Sequence, residues 1–189
     1  ALQESYTTIS KVLLVVVFPF FLMLFAFSSH LLSLFGQGFP EFAIVLSILI
    51  IGVYFDAVTG PIGEILNMSG NEKTEMMINF TSITVNIILL YVLTKYYGIL
   101  GAALAFALPR AVANLSKLIL VRNLIGINTL TIEHLKILGM QLFFVLVISF
   151  ITQFTLLIGV YSVMILSYFL VIYQLKWLNK AELRSFKRL

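Results

Sequence analysis

The chain has no cysteine and little charge: Asp, Glu, Lys and Arg together make up 11% of its 189 residues. Lack of cysteine excludes disulfides and thiolate-metal sites, and leaves the redox compartment open. The shortage of charge excludes more. With 61% hydrophobic residues and a mean hydropathy of +1.08, a water-soluble fold of this length has too little interior to hide its apolar side chains. A helix crossing lipid can be apolar on every side. Catalytic signatures are also absent: there is no GxSxG, no HExxH and no phosphate-cradling glycine loop. His30 and His134 stand singly near the edges of apolar stretches. The net charge of +4 is not a nucleic-acid footprint, because the basic residues do not cluster with base-stacking aromatics. The expectation is an all-α, polytopic membrane helix bundle that is not an enzyme, needs no cofactor or metal and binds no nucleic acid.

A crossing takes roughly 20 mostly apolar residues to span about 30 Å of hydrocarbon. Six segments meet that length. The first runs over about 12–33 and ends at Phe35-Gly36-Gln37-Gly38, and the second over about 42–68, after Pro40. Ser69-Gly70-Asn71-Glu72-Lys73 breaks the second with turn chemistry. The third covers about 76–94, and the fourth about 98–120 after Lys95-Tyr96-Tyr97. From Ile137 to Leu175 no residue is charged, nearly twice a bilayer thickness for one helix. That stretch divides into spans at about 134–153 and 156–175, with a turn near Gln153–Gly159. Residues 1–125 thus hold four helices, and 126–189 hold two more and a basic tail from Lys176. The amphipathic opening, Ala1 to Lys11, reads like the middle of a longer protein.

Orientation follows from the basic residues beside the spans. With six spans, one side receives Lys11, Lys73, Lys117, Arg122, Lys136, Lys176, Lys180, Arg184, Lys187 and Arg188, and the other Lys95 alone. Both termini are expected on the cytoplasmic side of the cell membrane, the tail lying against anionic lipid.

Ionisable groups at membrane depth cost roughly 2.5–3.5 kcal/mol on insertion scales, so they usually face a cavity or a partner. Asp56 and Arg110 fall at similar depth in the second and fourth spans, where they can pair. Asp56, Gly60, Gly63, Glu64 and Asn67 recur at spacings of one helical face. Gly60-Pro61 within it removes a backbone hydrogen bond and predicts a kink, a candidate hinge. The third span carries Asn79, Ser82 and Asn86 on one face, and the fourth Arg110, Asn114 and Lys117 after Pro109. Intramembrane amides often serve only as interhelical glue. Lys117 can snorkel to the cytoplasmic surface, whereas Arg110 cannot easily do so. An arginine fork at that depth suits a phosphate or carboxylate. Gly98, Gly101, Ala102 and Ala105 form a small-residue stripe suited to close helix packing.

Several stretches carry a family resemblance. They are Leu34-Phe35-Gly36, the Thr59-Gly60-Pro61-Ile62-Gly63 kink, Leu66-Asn67-Met68-Ser69-Gly70-Asn71-Glu72-Lys73, and Asn86 followed by Tyr97-Gly98-Ile99-Leu100-Gly101-Ala102-Ala103-Leu104-Ala105. The ending Leu178-Asn179-Lys180-Ala181-Glu182-Leu183 belongs with them. In this order and spacing, from about Pro19 onward, the chain resembles the polysaccharide-exporter branch of the multidrug/oligosaccharidyl-lipid/polysaccharide (MOP, MATE-like) superfamily, the Wzx-type O-antigen flippases. The resemblance implies the C-terminal part of a two-lobed, alternating-access transporter whose N-terminal lobe lies upstream. It implies a lipid-linked pyrophosphate oligosaccharide as the substrate in polysaccharide biosynthesis. Within that frame Arg110, with Lys117, is the candidate for the pyrophosphate, and Asn79, Asn86 and Asn114 for sugar hydroxyls. Asp56, with Glu64, is the candidate for a coupling H⁺ or Na⁺. Two other readings stand beside it: a multidrug or cation-coupled exporter of the same superfamily, and a non-transporting scaffold for polysaccharide-assembly enzymes.

Overall fold

Apolar runs interrupted by glycine and proline build the architecture. A computed structural model describes residues 2–128 and 131–151, together with Ser162, Ile165, Leu166, Tyr168, Phe169 and Tyr173. Those single positions aside, the span read at 156–175, the turn at Gln153–Gly159 and the tail from Lys176 lie outside these residues. Every regular element among the described residues is helical: α1 (Leu2–Ala26), α2 (Ser28–Ser33), a 3₁₀ turn (Phe39–Phe42), α3 (Ala43–Thr59), α4 (Ile62–Met68), α5 (Glu72–Ile125) and α6 (Ile132–Ile151). Residues 3–26, 39–59 and 72–125 are long and apolar enough to cross a membrane. The protein is a multi-pass, all-α membrane bundle.

The segment read as one first span is α1 plus α2. The junction is slight, because Phe27 N–H still bonds the Met23 carbonyl and Leu31 N–H the Phe27 carbonyl. The segment read as one second span is cut at Gly60, whose φ of 63° and ψ of −158° no helix accommodates. A side chain there would also strike Ser10, since a Cβ would lie 2.3 Å from its Oγ. Pro61 follows without an N–H, and α4 restarts at Ile62. The phenol of Tyr6 on α1 donates to the Thr59 carbonyl at the break, at 2.7 Å.

As one rod, α5 would be about 81 Å long at 1.5 Å per residue, far beyond a single crossing. It folds back at Gly98 (φ 58°, ψ −136°) into two arms, 72–97 and 99–125. The arms run antiparallel: Asn86 meets Ala105, Ser82 meets Pro109 and Glu75 meets Lys117. Their approach near the tip needs Gly101, where a Cβ would sit 2.0 Å from the Leu93 carbonyl oxygen.

Two apolar clusters hold the helices. Leu14, Phe18 and Phe21 of α1 pack with Ile50 of α3, Ile137 and Phe144 of α6, and Tyr168. Phe21 stacks on Tyr54 of α3 at 4.3 Å between centroids. Gln141 of α6 ties this group together, donating to the Leu14 carbonyl and the Tyr168 hydroxyl and accepting from Tyr54. The second cluster joins Tyr6, Ile62, Ile65 and Leu66 to Leu118, Val121 and Ile127. Outside these, Met77, Phe80, Ile87 and Tyr91 of the first α5 arm and Leu108, Val112 and Ile119 of the second are exposed. Such a surface suits hydrocarbon and not water.

Candidate functional site

Between α3, α4 and the two arms of α5 lies a polar cleft of about 610 Å³. Asp56 and Thr59 enter from the end of α3, and Gly63, Glu64 and Asn67 from α4. Glu75, Asn79, Ser82 and Asn86 come from the first arm, and Phe106, Pro109, Arg110, Asn114 and Lys117 from the second. The spacings place them together. Positions 75, 79, 82 and 86 recur every three to four residues, as do 106, 110, 114 and 117, so each arm shows one face to the cleft. The break at Gly60 turns the α4 residues toward the same space. Of the candidate residues read from the sequence, Asp56, Gly60, Glu64, Asn79, Asn86, Arg110, Asn114 and Lys117 all line it, while Pro61 stands beside it at the break.

Two ion pairs dominate its chemistry. Arg110 Nε and Nη2 both donate to Asp56 Oδ2, at 2.7 and 2.6 Å, and Asn114 Nδ2 donates to Asp56 Oδ1 at 2.6 Å. The Arg110 guanidinium also lies 5.2 Å from the centroid of the Phe106 ring, within cation–π range. These two ionic side chains stay open to the cleft, with 42% of Arg110 and 38% of Asp56 exposed. Lower down the arms, Lys117 Nζ donates to Glu75 Oε1 at 3.0 Å and Asn79 Nδ2 to the same oxygen at 2.6 Å. This second pair is largely buried. Gly63 makes room for it, since a Cβ there would lie 3.0 Å from Glu75 Oε1.

The geometry refines several expectations. Lys117 is held on Glu75 and does not snorkel outward. Arg110 and Lys117 stand seven residues apart, roughly 10.5 Å along the helix, and each has its own carboxylate. Asn86 Nδ2 donates to the Ala105 carbonyl at 2.8 Å and Ser82 Oγ to that of Pro109 at 3.2 Å. Pro109 has no N–H for the carbonyl four residues earlier, so Asn86 supplies the donor that the helix lacks at Ala105.

Glu75 was missed as a site residue. It lies one residue before the apolar stretch of the third span, and its signal was its spacing of four before Asn79. With it, three carboxylates (Asp56, Glu64, Glu75) face two cations (Arg110, Lys117) in the cleft.

A polar cleft opened by a helix break inside an apolar bundle is the form a transport pathway takes. Residues 1–92 match the MatE family model. The match supports a membrane transporter of the MATE-like superfamily, whose members are transporters and not enzymes. The MatE-matched segment runs from α1 into the first arm of α5 and holds every carboxylate of the cleft. Arg110, Asn114 and Lys117 lie beyond it, as does the whole of the Tyr97–Ala105 stretch. No curated protein and no solved structure matches the chain.

Proposed function

We propose that the chain forms one wall of the transport pathway in an exporter of lipid-linked oligosaccharide or polysaccharide precursors, moved across the cytoplasmic membrane by alternating access. The observation that carries this reading is Arg110, a cleft-facing arginine inside a membrane-crossing helix, whose fork is matched to phosphate oxygens. The pyrophosphate binds at Arg110. Lys117, two turns away, serves a second anionic group or a later position of the same one. Asn79 and Asn114 then offer their amides to sugar hydroxyls, with Asn86 kept for the backbone. Asp56 and Glu64 take the coupling H⁺ or Na⁺, and the Gly60-Pro61 break is the hinge. An apolar groove of about 480 Å³ between α1 and α3 shares Phe106 with the cleft, which sets an anionic head beside an apolar chain. Both termini of this segment are cytoplasmic, as its basic residues direct.

Replacing Arg110 by Ala in the full-length protein and measuring export of the lipid-linked sugar tests the reading. Loss of export with normal membrane abundance is expected, and wild-type export would overturn it. The excess of carboxylates over cations favours a second reading, a cation-coupled exporter of cationic drugs. Under that reading Glu64→Gln abolishes drug efflux, while Arg110→Ala leaves it intact.

A further inference from the structure

Both cations of the cleft already have an anion. Arg110 spends its Nε and Nη2 donors, one complete bidentate edge, on Asp56, and Lys117 is held by Glu75. With every group ionised the cleft carries one net negative charge, because Glu64 is left over. An incoming phosphate or sulfate would therefore meet a paired arginine and a carboxylate beside it, in a space walled by apolar helices where like charges are poorly screened.

We infer that an anion takes Arg110 by displacing Asp56, and that Asp56 gives way by taking up one proton from water. Anion binding and proton uptake are then one event, and the ligand enters as a net anion plus H⁺. This inference rests on the reading of Arg110 as the anion-binding residue. The proton balance is simple: the Asp56 carboxylate becomes the acid, and the two bonds it accepted from Arg110 pass to the ligand oxygens. Asn114 suits both states. Its Nδ2 donates to Oδ1 of the carboxylate now, and its own carbonyl oxygen can accept from the carboxylic acid. The buried Glu75–Lys117–Asn79 group has no such freedom, since one carboxylate oxygen already accepts from two donors in a mostly enclosed site.

Once the anion holds Arg110, Asp56 has lost its cation and stands beside a new negative charge. Glu64 of α4 and Glu75 of the first α5 arm add negative charge to the cleft, while Arg110 and Lys117 of the second arm offset it. On the other side of α3, Tyr6 of α1 is engaged at Thr59, and Lys11 of α1 is bound to Glu133 of α6. Tyr54, on α3 itself, is engaged with Gln141. Those groups do not line the cleft.

The test uses the full-length protein in nanodiscs and octyl sulfate as the probe, because its charge does not change between pH 5 and 8. Wild-type affinity is expected to rise several-fold for each unit that pH falls, up to the tenfold that one whole proton allows. Calorimetry in two buffers of different ionisation enthalpy should show net proton uptake on binding by the wild-type protein. Asp56→Asn should bind the probe with little pH dependence, and Glu64→Gln and Glu75→Gln should keep the slope. Binding that needs Arg110 yet is flat in pH, or that releases protons, overturns the inference while leaving the anion site standing. A slope that survives in Asp56→Asn and vanishes in Glu64→Gln or Glu75→Gln also overturns it. If the wild type does not bind the probe, or Arg110→Ala binds it equally well, the Arg110 reading falls and this inference with it.

Discussion

Pro109 removes the amide that would bond the Ala105 carbonyl, and Asn86 of the facing arm replaces it at 2.8 Å. An unmet carbonyl away from water costs about 1–3 kcal/mol, although intramembrane side-chain bonds average only about 0.6. Asn86→Leu is therefore expected to lower stability by about 1 kcal/mol, measured by reversible unfolding in mixed micelles. In a Pro109→Ala background the residue at 109 supplies its own N–H to Ala105. There the same Asn86 substitution should cost clearly less, and equal costs in both backgrounds would show that Asn86 does something else. The residues of this cleft were legible in the sequence because Asp56, Arg110 and Asn86 stand out against apolar surroundings. Their partners were not. That Lys117 meets Glu75, and Asn86 a carbonyl, depends on the register of two arms facing each other, which no spacing within one arm encodes.

Helix α3 reaches the second arm of α5 through a small-residue contact. A Cβ on Gly52 would lie 2.9 Å from the Ala107 Cβ and 3.0 Å from its Cα, so the backbones are almost in touch. This approach brings Asp56, one turn further along α3, within reach of Arg110 and Asn114. Gly52→Ala should push the helices apart and cost about 1–3 kcal/mol, as overpacking does. Adding Ala107→Gly should recover part of the loss in thermal unfolding, because it removes one of the two colliding atoms. Strictly additive losses in the double variant would rule this contact out as the source of the strain. The stripe of Gly98, Gly101, Ala102 and Ala105 announced close packing, but not with what. Gly101 and Ala105 face the first arm, whereas Ala107, one step off the stripe, carries α3. Helix ends were also less legible than helix centres. α1 begins at Leu2, well before its apolar run, since Tyr6 and Thr8 are buried there by tertiary packing.

At the scale of the molecule, the hairpin constrains topology more tightly than charge counting does. An antiparallel pair of arms that reverses at Gly98 must place residues 72 and 125 on one face of the membrane and the Lys95-Tyr96-Tyr97 tip on the other. The two ends carry Lys73, Arg122 and the buried Lys117, and the tip carries Lys95 alone, so the basic-residue rule assigns the ends to the cytoplasm. This stretch has no cysteine of its own, so in a full-length protein whose other cysteines are replaced each thiol introduced here is the sole target of a reagent. In intact cells an impermeant maleimide should label Tyr97→Cys, whose parent side chain is exposed at the tip, and spare Lys73→Cys and Asn123→Cys. Opening the cells should expose the latter two. Labelling of Lys73→Cys and Tyr97→Cys from the same side would break the hairpin, whereas exchange of the two sides would keep it and invert the orientation. In the expected arrangement the deep end of the cleft, at Asn86 and Phe106, lies toward the tip, and the Glu75–Lys117 pair lies toward the cytoplasm. An anion approaching from the cytoplasm would then meet Lys117 before Arg110, giving the two cations, two helical turns apart, an order along the path.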